Sequence, residues 1–409
     1  MRKLVLNYLL LFFTTSIFAQ TRDIAKCGNE FTPATTDQVD QALLINNRTS
    51  ATTGTIYRIP VVFHVLTDQP TGVSNISDCI IQNQVAILNN CFRRKSGAPN
   101  TNAAGADAEI EFYLARINPT GGATNGINRV TTSSCNYTTV NSTSQLSAIR
   151  TAAQWPTNKY LNIWVLKTMP NNNTVRGQAW YSGTNMGIFV HYSYLGSKNS
   201  GCSNLSYLDI TGFQAYDLGM TVVHEVGHYL NLLHTFENCS PGDGCSDTPP
   251  VSGFPNPFCG TNNNTRGLCS GATSRQWQNY LDYTDDACMD RFTACQVLRM
   301  RSVLETNTQY TNLVTQTNFI ATGGDIATSV NDLSKNEKAF IYPNPTKNII
   351  RIQWNNYTPS SEYAVIGIDG SILLKGKATG MWQEINVSWL KPGAYALRID
   401  GKNYKFIKE

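Results

Sequence analysis

What this chain lacks excludes several classes of function. None of its eleven cysteines forms a C-x-x-C pair, so a thiolate metal site loses to disulfide bonding as the explanation of the cysteine content. Beyond the N-terminal stretch, no apolar run is long enough to span a membrane. No basic stripe occurs, and a net charge of +4 with a pI near 8.4 is too mild to argue for a nucleic-acid partner. There is no internal repeat. Histidine is scarce as well: the chain has five, and three of them fall inside one eleven-residue segment.

With 409 residues, the chain can bury one large core or fold as two to three domains. Residues 1–19 have the form of a secretory signal: Arg2 and Lys3, an apolar stretch from Leu4, and small Ala19 at the end. Cys27 lies eight residues past Ala19, too far to carry a lipid anchor at the cleavage site. Export puts every cysteine in an oxidising compartment, and six of them crowd between Cys239 and Cys295. The odd total leaves one thiol over or bonded to another molecule.

The polar stretch 20–50 ends at Asn47-Arg48-Thr49-Ser50 and reads as a pro-segment with an exposed basic cleavage point. From there to residue 307, folding signals succeed one another. Tyr57 to Leu66 is a buried strand, and Ile81, Val85, Leu88 and Phe92 repeat at helical spacing. Ile110, Phe112 and Leu114 alternate, as do Leu161, Ile163 and Val165, and Gly187 to Val190 is a further short strand. His64 and His191 each stand alone and are assigned to packing or surface. A helix is predicted from about Tyr216 to Asn231 and another near Gln296 to Glu305, with a loop-rich, turn-rich region between them. Residues 308–337 turn polar and read as a linker. Residues 338–409 form a small β module with an Asp369-Gly370 hairpin turn and alternating strands around Ile350-Ile352-Trp354 and Leu390 to Ile399.

The segment His224-Glu225-Val226-Gly227-His228-Tyr229-Leu230-Asn231-Leu232-Leu233-His234 carries the chemistry. Histidines four apart on a helix project from one face, where two imidazoles can hold one metal ion. His234 supplies a third ligand if the chain turns sharply after His228. The turn position usually taken by glycine is Asn231 here, and asparagine tolerates left-handed backbone geometry best after glycine. Glu225 stands next to a ligand, where a carboxylate can take the proton of a metal-activated water.

This motif, followed at a distance by Asn279-Tyr280-Leu281-Asp282-Tyr283, resembles the pappalysin-like metzincin proteases over about Ile59 to Leu304. The resemblance implies an α+β fold, a twisted mixed sheet lying over an active-site helix with a loop-rich C-terminal subdomain, and zinc as cofactor. It places Leu281 at the apolar turn beneath the metal, where the family has methionine, and gives Tyr283 the role of supporting the oxyanion. It also implies disulfides Cys245–Cys269 and Cys259–Cys288, and structural calcium in the loops with Asp247 as ligand. Cys27-Gly28 in the leader resembles a latency cysteine that holds the open zinc position until the leader is removed. The module from Ala339, with Tyr342-Pro343-Asn344-Pro345 and a basic final strand, resembles the C-terminal β-sandwich sorting domains read by the type IX secretion machinery.

The resulting expectation is an exported zinc endopeptidase acting on extracellular proteins or peptides, reaching the cell surface or medium through the periplasm, without stable membrane insertion. Substrate is expected along a sheet edge near Gly187 to Val190. Two rivals share parts of this pattern: a secreted adhesion protein with a structural or vestigial zinc site, and a zinc amidase acting on wall peptides. An intact Glu225 argues against the vestigial site.

Overall fold

The computed structural model describes residues 55–94, 105–132, 143–169, 175–181, 186–203, 205, 208, 215–240, 242–253, 267–324, 339–342, 344–354, 358–380 and 382–409. Cys27, the signal segment and the pro-segment lie outside them. The chain divides into two compact units, Met1–Asn318 and Phe319–Glu409. None of the described helices is long and apolar enough to cross a membrane.

The first unit is built on a six-stranded mixed sheet. Its strands are β1 (Tyr57–Thr67), β2 (Ile110–Leu114), β3 (Ile127–Thr131), β4 (Leu161–Leu166), β5 (Gly177–Trp180) and β6 (Gly187–His191). The order is β2-β1-β4-β6-β5, with β3 continuing beside β1 past the end of β2. All pairings are parallel except β5 with β6. Helices cover both faces, which is why β1 is a near-continuous apolar run and why β4, read from sequence as alternating, is buried at every residue. On one face Ile59, Val61, Phe63 and Val65 meet α1 (Asp78–Arg93) and α3 (Met220–Tyr229) in the main core. On the other, Leu66, Trp164 and Phe189 pack with Ile149 and Ala153 of α2 (Thr143–Ala153). A disulfide between Cys79 and Cys202 ties the start of α1 to the loop after β6.

Three expectations need correction. The helix that carries the first two histidines begins at Met220 rather than Tyr216, because Gly219 has φ 78° and cannot continue a helix backwards. Tyr216 packs instead with Tyr194 and Ala215. The strand at Gly187 is internal, since β5 pairs along its outer side, so the sheet edge on that side is β5. The supposed linker also starts late. After α4 (Ala294–Thr306), Tyr310 and Leu313 are buried in the main core, a 3-10 turn runs over Thr311–Val314, and α5 (Gln316–Ala321) follows. Polar side chains around these two apolar anchors gave the stretch its linker-like composition.

The second unit is two facing antiparallel sheets. The three-stranded sheet is formed by β7 (Ala339–Tyr342), β8 (Ile349–Trp354) and β11 (Trp382–Asn386), in the order β11-β8-β7. The four-stranded sheet is formed by β9 (Glu362–Ile366), β10 (Ile372–Lys377), β12 (Gly393–Ile399) and β13 (Lys402–Lys408), in the order β10-β9-β12-β13. Ile350, Ile352 and Trp354 from one sheet share a core with Val365, Leu397 and Phe406 from the other, as the alternation requires of a sandwich. The predicted turn is present: Gly370 has φ 82°, and Asp369 accepts the Ser371 amide.

Candidate active site

Helix α3 carries His224, Glu225 and His228 on its buried side. Its N-terminus is fixed from a distance: the carboxylate of Asp286 accepts the amides of Leu218 (3.0 Å) and Met220 (3.2 Å), satisfying donors that the helix cannot satisfy itself. Its C-terminus is broken by Asn231, whose φ of 69° supplies the left-handed turn expected there. The Leu232 amide returns to the Gly227 carbonyl at 3.0 Å, and the chain leaves the helix axis toward His234.

The three imidazoles then converge. His228 Nε2 lies 3.0 Å from His224 Nε2 and 3.0 Å from His234 Nε2, and all three rings are 5% exposed or less. Each Nδ1 faces an atom that can only accept. The partners are the Tyr280 carbonyl at 2.7 Å, the Leu232 carbonyl at 2.8 Å and the Glu237 carboxylate at 3.1 Å. The ring protons therefore sit on Nδ1, which leaves three Nε2 lone pairs pointing at one another. Lone pairs that close repel unless a cation lies between them, and second acceptors of this kind are what metal-bound histidines use to fix ring orientation. Burial first, then its two imidazole neighbours, push the His228 pKa well below its usual value, so the ring stays neutral and able to ligate. The site fits zinc.

Glu225 is fully buried, and its carboxylate faces β5. An ideal Cβ built on Gly177 would come within 2.6 Å of Glu225 Cγ and Oε1, so only glycine fits opposite it. Leu281 is fully buried and packs against Gly227 of α3, where an added Cβ would meet Leu281 Cδ2 at 2.9 Å. Tyr283 lies beside the triad, its ring 5.0 Å from that of His234 and 5.6 Å from that of His224.

A profile of the pregnancy-associated plasma protein-A peptidases matches residues 143–305, and one of secretion-system C-terminal sorting domains matches 340–409. Promirolysin of Tannerella forsythia is 30% identical with a TM-score of 0.56, over 71% of this chain and 97% of that one. The chain belongs to the pappalysin family. It is a metalloendopeptidase with a type IX sorting domain at its C-terminal end. Mature mirolysin, solved with a cleaved peptide, is 32% identical with a TM-score of 0.53, over 66% of this chain and 99% of that one. Extracellular metalloproteases of fungi are similar as well. That of Verticillium alfalfae is 29% identical over 60% of this chain and 74% of its own length, and one from Coccidioides posadasii is 45% identical over 25% and 37%.

Within this pappalysin unit, the loop region after His234 departs from the disulfides expected by resemblance. Cys245 is bonded to Cys295, and Cys269 to Cys239, so the Cys245–Cys269 pairing is wrong. Cys295 opens α4 next to Cys245, a proximity that spacing along the chain does not reveal. Cys288 is disulfide-bonded, while Cys259 lies outside the described residues. The free thiol among the described residues is the buried Cys91. Asp247, expected on calcium, accepts the Cys295 amide at 2.9 Å; its two sulfur neighbours are locked in the Cys245–Cys295 disulfide.

Sequence reading missed the supports of the pappalysin site. Asp282, next to Leu281, is a buried junction: it pairs with Arg275, accepts the Thr235 hydroxyl at 3.1 Å and caps the Tyr283 amide at 2.5 Å. It thereby links the segment after His234 to the turn carrying Tyr283. Asp286 and Gly177 act from equally remote positions. The one clue in the sequence was a dense run of acids after Tyr283, which alone could equally have faced solvent.

Proposed function

We propose that this chain is a secreted zinc endopeptidase in which His224, His228 and His234 hold the metal and Glu225 is the general base. The observation that carries the reading is the convergence of three buried Nε2 lone pairs whose Nδ1 protons are all committed elsewhere, with a buried carboxylate one residue from the first ligand. Zinc, when bound, supplies a Lewis acid that polarises the scissile carbonyl and makes water acidic enough to lose a proton near neutrality.

Glu225 accepts that proton and returns it to the leaving amine. Burial and the close backbone of Gly177 restrict the carboxylate to the geometry this transfer needs. Tyr283, packed edge-on against the stacked His234 and Phe236 rings, directs its hydroxyl to the developing oxyanion. Substrate lies extended along β5, the edge strand that faces Glu225, pairing main chain to main chain. The complex of mature mirolysin with a cleaved peptide supports a peptide ligand by likeness. Export follows from the sorting domain and from the extracellular relatives, with residues 1–19 proposed as the signal for the first membrane and 20–50 as the segment removed on activation.

The deciding experiment is Glu225→Ala. The variant should bind zinc as the parent does and cleave casein slower by roughly two to four orders of magnitude. Cleavage at more than about a tenth of the parental rate would remove Glu225 from the mechanism, and a parent protein still inert toward casein once residues 20–50 are removed would sink the peptidase reading itself.

A further inference from the structure

Tyr310 lies beyond the matched stretch of residues 143–305, in a segment whose composition looks like linker, yet its side chain ends in the middle of the catalytic unit. It is 1% exposed, and its ring packs against that of Tyr229 at 5.2 Å. The hydroxyl is 2.6 Å from the Tyr181 carbonyl and 2.7 Å from the Tyr229 carbonyl. Both neighbours only accept, so the single phenolic proton is shared between them. Burial holds the phenol well above its usual pKa, and the proton stays in place at any working pH.

The two carbonyls have different owners. Tyr181 follows the last residue of β5, the strand assigned above to substrate; Tyr229 is the last residue of α3, two before the Asn231 turn that delivers His234. The spacing between β5 and α3 is critical at their other contact, where Glu225 leaves no room for a Cβ on Gly177. The strap that carries it, residues 307–318, is anchored again after Tyr310. Leu313 is fully buried, and Asn312 and Asn318 donate to the carbonyls of Asn158 and Lys159, just before β4.

We propose that Tyr310 is a positioning residue, a clamp that sets the distance from the substrate strand to the metal-binding helix and so aligns a bound peptide bond with Glu225. The proposal rests on the peptidase reading and extends it to the strap over 307–318. Misplacement of a reacting group by a fraction of an ångström is enough to slow chemistry without unfolding the protein.

The test is Tyr310→Phe in the full chain, which keeps the ring and removes only the hydroxyl. Tyr57→Phe is the matched control, since it deletes a comparable hydroxyl that donates to Glu305 away from the site. Three quantities are read in both variants: kcat and KM for an extended decapeptide, the inhibition constant of acetohydroxamate, which needs only the metal, and amide hydrogen exchange.

For Tyr310→Phe we expect kcat to fall about tenfold with hydroxamate inhibition unchanged within about twofold. Exchange should rise together in 177–181 and 229–232. Tyr57→Phe should change none of these. Peptide turnover within about twofold of the parent, hydroxamate binding weakened in step with turnover, or exchange raised only within 308–318 would each overturn the clamp. A parent that cleaves no peptide would fail the peptidase reading instead, and the exchange data alone would then decide whether the clamp exists.

Discussion

Opposite Glu225, the wall of the site is a glycine Cα, and that fixes what position 177 tolerates. A methyl group there meets a carboxylate that is itself buried, so the carboxylate must move. We expect Gly177→Ala to retain zinc at one ion per chain and to lose peptide turnover by about 10- to 100-fold. Metal analysis alongside kcat checks this; unchanged turnover would mean that Glu225 has slack. The histidines and Glu225 were legible because their relation is local: a helix converts a four-residue spacing into a shared face. Asn231 was legible for the same reason, as one residue's backbone preference. Gly177, Asp286 and the Asp282 junction were not, because each acts across a sequence gap that only the fold closes.

Among the elements, β1 announced itself by a long apolar run and β4 by an alternation that understated its burial, and this burial makes both sensitive to acid. His64 of β1 is fully buried between strands, donating to Asn162 at 2.8 Å and accepting from Asn128 at 3.0 Å, an arrangement open only to the neutral ring. Burial lowers its pKa to about 4, and that of His191 at the end of β6 also to about 4. Both values lie below the unfolded one of 6.5, so the associated stability is complete above pH 6.5 and is lost as pH falls from there toward 4. Each histidine should cost roughly 2 kcal/mol by pH 5. Urea unfolding at pH 7.5, 6.5 and 5 measures it; a midpoint that stays level from 6.5 to 5, above most carboxylate titrations, would contradict the burial argument. Both residues were assigned to packing or surface from their isolation in sequence, and their burial selects packing. The strand order was not readable: Gly187 to Val190 looked like an edge because β5, only four residues long, left too weak an alternation to reveal that it covers β6.

For the molecule as a whole, the two units have separate cores among the described residues. A chain ending at Thr322 should therefore fold, bind zinc and cleave peptides at the parental rate, while remaining in the periplasm of a host that uses type IX export. A chain ending at Asn307, the boundary suggested by composition, removes Tyr310 and Leu313 and should be poorly active. Comparing the turnover of the two truncations tests where the catalytic unit ends; equal activities would return the strap to the status of linker. Composition could not settle this, because two buried side chains in a dozen polar residues are invisible to an average.

The described residues between His234 and α4 are held by cystines as well as by packing. Links across 30 and 50 residues are each worth about 3–4 kcal/mol by loop closure, and this stretch presents Tyr283 and the wall beyond it. Reduction of these cystines should therefore leave the metal-binding helix in place and loosen the wall that carries Tyr283, so full activity is expected of the oxidised chain alone.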